Sequence, residues 1–112
     1  MWAVIGVWKL DSSVIEQVRA LIPDMAQGKL TMPGFVHGTW TVDGHAILVF
    51  ADEQSARRYH SDMLAQGAVE RPGQRCIVWD VAEVGAESAV DRTAVEGHGR
   101  PDRTRQSTAT GP

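Results

Sequence analysis

Few side chains in this sequence can do chemistry at neutral pH. There are four histidines, at positions 37, 45, 60 and 98, one tyrosine, Tyr59, and one cysteine, Cys76. A histidine set among aromatic rings in an apolar pocket can act as a general base, because its pKa lies near neutrality. His37 is the best placed, since the hairpin register derived below sets it opposite Phe50. The plainer reading of His37 is a half-exposed strand residue bonded to backbone. Tyr59 falls on the core-facing stripe of a helix, where its hydroxyl could position a phenolic substrate. More commonly such a tyrosine packs its ring and leaves the hydroxyl in water. His60 reads first as a helix-flank residue and second as a substrate contact beside Tyr59. Phe50 and Trp8 are the candidates for a cavity wall, although Trp8, Trp40 and Trp79 also serve as ordinary core or interface residues. Cys76 lies in an apolar strand and reads as inert. His45 and His98 read as solvated. The histidines follow no metal-ligand spacing, and the glycines follow no phosphate-loop spacing. We therefore expect neither a metal nor a cofactor.

Those residues need a frame, and composition limits which frame is available. The chain has 112 residues, 43% of them apolar, with 11 basic and 14 acidic side chains and a net charge of −3. That balance argues against nucleic-acid binding. No apolar run is long enough to span a bilayer, and the first residues lack the basic start of a signal peptide. A cytoplasmic location is expected. A single cysteine forms no intrachain disulfide. Residues 1–84 hold every aromatic and every methionine. Residues 85–112 hold too little apolar surface to offset their ordering entropy. The expectation is a folded domain over 1–84 and a flexible tail over 85–112, with a short helical turn over 88–95 as its only local structure.

The front part divides into six elements. Met1 to Leu10 is an apolar, β-branched and aromatic run, hence a strand. Ser13 with Glu16 three residues on reads as a capping box, and the apolar spacing from Val14 to Met25 makes an amphipathic helix. Pro23 is expected to end or kink it. Phe35–Val42 and His45–Ala51 are strands joined by Asp43-Gly44, a strong hairpin signal. Asp52 caps a second helix that Gly67 stops. Cys76–Val84 is a fourth strand. The order β-α-β-β-α-β predicts an α+β, ferredoxin-like sandwich: a four-stranded antiparallel sheet with two helices on one face.

A two-residue turn would set Val42 opposite His45 and so fix the register. Trp40 and Gly38 then share one side with Ile47 and Val49. His37, Thr39 and Thr41 share the other with Phe50, Leu48 and Ala46. Both sides carry large apolar groups, yet two helices cover only one. The simplest cover for the second side is the same side of a second copy, so a homodimer through the sheet face is expected. The alternative is a sheet bent enough to shield itself.

Three segments then resemble a family. Met32-Pro33-Gly34-Phe35-Val36 opens the second strand, Asp43-Gly44 makes the hairpin, and Ile47 to Ala56 runs from strand into helix at an acidic cap. Over residues 1–84 the chain resembles the dimeric α/β-barrel superfamily, in its antibiotic-biosynthesis-monooxygenase-like branch. The resemblance implies a homodimeric barrel and, as one activity, cofactor-independent oxygenation of a small aromatic or quinol-type compound. His37 would then be the base, Tyr59 the positioning group, and Phe50 the residue where the family has a cavity-lining tryptophan. The other implied reading is a non-catalytic dimeric barrel that binds a small apolar ligand or serves as an interaction module. Haem-degrading members use an asparagine on the first strand, a tryptophan ending the third, and a histidine on or after the second helix. This chain has no asparagine. It has Phe50 at the tryptophan position, and no histidine follows the second helix within 1–84. Haem degradation is therefore disfavoured.

Overall fold

The computed structural model describes residues 1–90. Its elements are β1 (Trp2–Leu10), α1 (Ile15–Gly28), β2 (Phe35–Trp40), β3 (His45–Phe50), α2 (Glu53–Ala65) and β4 (Gln74–Glu83). The strands form one antiparallel sheet in the order β2-β3-β1-β4. This is the ferredoxin-like arrangement expected from the sequence. α2 lies against β1, β3 and β4, while α1 lies along β2. The core is Val4, Ala46, Leu48 and Phe50 from the sheet with Ala56 from α2.

The helix ends divide the sequence expectations. Asp52 caps α2, with Oδ1 accepting the Ser55 N–H at 2.8 Å. Gly67 follows α2 with φ +67°, a conformation open to glycine at little cost. The capping box at Ser13 does not form: α1 starts after Val14, without a side-chain cap. Nor does Pro23 end α1, which runs on to Gly28. Pro23 removes one backbone donor, in a helix that buries no residue completely. The helical turn expected over 88–95 is absent at 88–90. Its remainder, with the rest of the expected tail, lies outside the described residues.

The hairpin corrects the register by one residue. The Thr41 N–H donates to the His45 carbonyl at 2.9 Å, so the loop is Val42-Asp43-Gly44 rather than Asp43-Gly44 alone. Gly44, at φ +103°, takes the position where three-residue hairpin loops need a positive φ. The Thr41 hydroxyl reinforces this loop by accepting the His45 N–H and donating to Asp43 Oδ1. Trp40 therefore faces Ala46, Gly38 faces Leu48, and His37 faces Val49. A bulge between Phe35 and His37 then brings Phe35, not His37, opposite Phe50.

That slip sorts the two faces. The helix side carries Trp2, Val4, Gly6 and Trp8 of β1, Ala46, Leu48 and Phe50 of β3, Phe35, Gly38 and Trp40 of β2, and Trp79 and Val81 of β4. All four tryptophans are there. The far side carries Ile5, Val7, Ile47, Val49 and Val78 together with His37, Thr39, His45 and Asp80. It is less apolar than the expected register required, although Ile47 remains 48% exposed.

Candidate functional site

Two strand glycines leave room for the rings of Trp8, Trp79 and Trp40. A Cβ on Gly6 would run into the Trp8 ring and come within 3.1 Å of Trp79, and a Cβ on Gly38 would meet Trp40 and Phe35. The rings link into a chain. Trp8 and Trp79 are 5.7 Å apart between centroids, Trp79 and Tyr59 5.9 Å, Tyr59 and Phe50 5.6 Å, and Phe50 and Phe35 5.9 Å. Tilted and edge-on pairs at such spacing are favourable beyond their buried area.

Where this aromatic layer meets the outer side of α2, a cleft opens. It has a volume of about 230 Å³ and is lined by Met32, Pro33, Phe50, Gln54, Ser55, Arg58, Tyr59 and Asp62. Its floor is Phe50 and Tyr59. Its lip is Met32-Pro33, in the loop that Gly34 turns at φ +78° against Ser55. Its polar wall is Gln54, Arg58 and Asp62, which the four-residue spacing of a helix puts on one stripe. Lys29 stands at the C-terminal end of α1, with Nζ 5.1 Å from the centre of the Tyr59 ring. Burial lowers the Lys29 pKa from its usual value. Burial also pushes the Tyr59 phenol up to about 12, so at neutral pH it is a hydrogen-bond donor and not a phenolate.

The site residues expected from the sequence divide between this cleft and other places. Phe50 and Tyr59 line it together. Trp8 does not; its indole N–H donates to the Val69 carbonyl at 2.5 Å and its ring packs on Trp79. His60 is committed to Trp79. Its Nε2 is 2.8 Å from the Trp79 carbonyl, so that nitrogen carries the proton, and the Trp79 indole N–H donates back to the His60 carbonyl at 3.2 Å. The two rings stack 5.4 Å apart.

His37 needs the largest correction. It stands on the far side of the sheet, 54% exposed at its side chain, with Nε2 2.8 Å from Glu87 Oε2. The placement opposite Phe50 failed because the loop has three residues, which sets His37 opposite Val49. The Glu87 contact also shows where the chain goes after β4. Val84 N–H donates to the Met1 carbonyl, and Glu87 reaches His37 on the opposite edge strand. Residues 84–87 therefore cross the far face over the row Ala82, Ala3, Val49 and His37, which accounts for Ala3 and Val49 being only 6% and 3% exposed.

Arg58, Gln54 and Asp62 were missed as site residues. Their i, i+4 spacing in the sequence was the available signal, and it reads equally as a solvated helix face. Among the described residues no three His, Cys, Asp or Glu side chains gather as a metal site, and no helix is long and apolar enough to cross a membrane.

The strand order and the two helices on one face define the class as a ferredoxin-like α+β domain. No protein-family profile matches the chain, and no curated protein matches it. Among solved structures, it is similar to the haem degrader MhuD of Mycobacterium tuberculosis, determined with two haems bound in its active site. The TM-score is 0.55 at 10% identity, over 80% of this chain and 100% of that one. Likeness at that identity is one of fold.

Proposed function

We propose that the cleft between sheet and helices binds a small, electron-rich aromatic compound of the phenol or quinol class, and that the protein is an oxygenase-type member of its fold group. The observation that carries this reading is an apolar floor of Phe50 and Tyr59 facing a polar wall of Gln54, Arg58 and Asp62 in one cleft of about 230 Å³. A cavity of about 150 Å³ suffices for benzene, so there is room for a ring and its substituents. A protonated Tyr59 can donate to a substrate oxygen. In the cofactor-free chemistry implied by the resemblance, an anthrone-type methylene and dioxygen give the carbonyl and water. The substrate supplies all the electrons, and the protein supplies a dry wall and a polar anchor.

A second reading, non-catalytic binding of a small apolar ligand, has its own support. Among the described residues no histidine lines the cleft, and the one carboxylate that does, Asp62, is exposed. Oxygen uptake and calorimetric binding with a panel of anthrones and quinols separate the two. Binding with uptake supports the oxygenase, binding without uptake supports the ligand-binding module, and no binding rejects both.

Haem, the molecule bound by the structural neighbour, fits this cleft poorly. The volume is under the roughly 300 Å³ at which drug-sized sites begin. His60 Nε2 is spent on Trp79, His37 is on the other face, and Tyr59 is held as a neutral phenol. We also propose that the far face pairs with a second copy. Ile47 is 48% exposed there, next to the half-buried Ile5, Val7 and Val78, an apolar surface beyond the row that residues 84–87 cover. Sedimentation at the 12.2 kDa of a monomer at micromolar concentration would reject the pairing.

A further inference from the structure

We infer that the cleft selects aromatic anions, a ring bearing a carboxylate or phenolate, and that Lys29 and Arg58 are the two cations that receive the negative group. The inference rests on reading the cleft as a small-aromatic site. It starts from two cations that have no acid partner among the described residues. The ion pairs among the described residues are Arg19–Glu16, Arg57–Glu53, His37–Glu87 and His45–Asp43. Lys29 and Arg58 belong to none of them.

Lys29 is the more telling of the two. An ammonium that is taken partly out of water without a carboxylate is costly. Lys29 is half-buried, and what it has instead is the face of Tyr59, 5.1 Å away. A ring face attracts a cation but leaves the ammonium's hydrogen-bonding capacity open. Tyr59 is also the floor of the cleft, so Lys29, which stands outside the lining, is linked to it through the face of that ring. Arg58 comes from the other wall. Its fork is suited to a planar carboxylate. Two acids share the neighbourhood. Asp52 is occupied in capping α2, with both its oxygens on Ser55. Asp62 lines the cleft one turn beyond Arg58 but makes no ion pair with it. Neither acid forms an ion pair with Lys29 or Arg58.

The test is calorimetric titration of the full chain with 1-hydroxy-2-naphthoate and with its neutral amide. Both are run on wild type, Lys29→Met, Lys29→Arg and Arg58→Gln, with the fold of each variant checked by circular dichroism. The anion should bind about tenfold more tightly than the amide. Lys29→Met and Arg58→Gln should each remove most of that preference and weaken the salt dependence. Lys29→Arg should keep the preference. Equal affinity for anion and amide, or a preference that survives both charge removals, overturns the anion inference while the small-aromatic site stands. Binding of neither compound overturns the site itself, and the inference with it.

Discussion

Tyr59 gives the sharpest test of the site's physics, because it is the chain's one tyrosine and its ionisation can be watched alone. Burial among Phe50, Trp79 and the Lys29 side chain raises its pKa from 10.0 to about 12. Between those values the unfolded tyrosine has lost its proton and the folded one has kept it. The folded state then binds more protons than the unfolded state, so stability falls as pH rises. The contribution is fully present below pH 10 and is lost progressively up to about pH 12. One pKa unit is about 1.4 kcal/mol, so the loss is roughly 2–3 kcal/mol. For a domain of this size that is a large part of the total. The assay is urea unfolding at stepped pH from 8 to 12, alongside the near-ultraviolet tyrosinate band. Lysines titrate in the same range, so the comparison that matters is with Tyr59→Phe, which should lack this part of the alkaline loss. A tyrosinate band that rises near pH 10 with the fold intact would refute the burial argument. Identical alkaline slopes in wild type and Tyr59→Phe would do the same.

Four further outcomes follow from particular contacts. Gly6→Ala should destabilise the domain by about 1–3 kcal/mol in urea unfolding, because the added carbon meets a Trp8 ring pinned by Val69 and Trp79. Asp52→Ala should cost about 1 kcal/mol by thermal unfolding, since the Ser55 N–H loses its acceptor. Ile47→Lys on the open far face should shift sedimentation toward the monomer with little change in far-ultraviolet circular dichroism, if that face pairs with a second copy. Burial lowers the Lys29 pKa, and a bound anion should restore it. Binding of an aromatic anion at alkaline pH should therefore take up protons, seen as a buffer-dependent heat that Lys29→Met removes.

The element order could be read in the sequence because each element carries a local signal. The β1 run is apolar and β-branched, Asp52 caps α2 through its own side chain, and Gly67 stops that helix. α1 was read less well at both ends. Its boundaries follow from weak tertiary packing, with no residue fully buried, and neither Ser13 nor Pro23 decides them. The hairpin is the instructive case. Asp43-Gly44 correctly announced a reversal, but two- and three-residue loops share that dipeptide. The choice was made by Thr41, whose hydroxyl bonds both Asp43 and the His45 N–H. Side-chain direction alternates along a strand, so one residue of loop length moved His37 away from Phe50 and brought Trp40 onto the face of the other tryptophans.

Phe50 and Tyr59 of the candidate site could be read from the sequence, and its polar wall could not. Phe50 and Tyr59 are large, apolar and set against the core, and burial of such groups is what the sequence pattern reports most directly. Gln54, Arg58 and Asp62 are polar residues on the outer stripe of a helix, where the pattern of a binding wall and that of a solvated surface are the same. What distinguishes them is the lip of Met32-Pro33 across from them, a contact between segments more than 20 positions apart. Lys29 follows the same rule more strongly. In the sequence it is one lysine near the end of a helix. In the fold it is a half-buried ammonium on a tyrosine face, with no ion-pair partner among the described residues. The chemistry of this cleft therefore depends on polar groups whose significance comes only from their position on the aromatic layer. That layer in turn depends on two strand glycines, Gly6 and Gly38, which leave room for the rings.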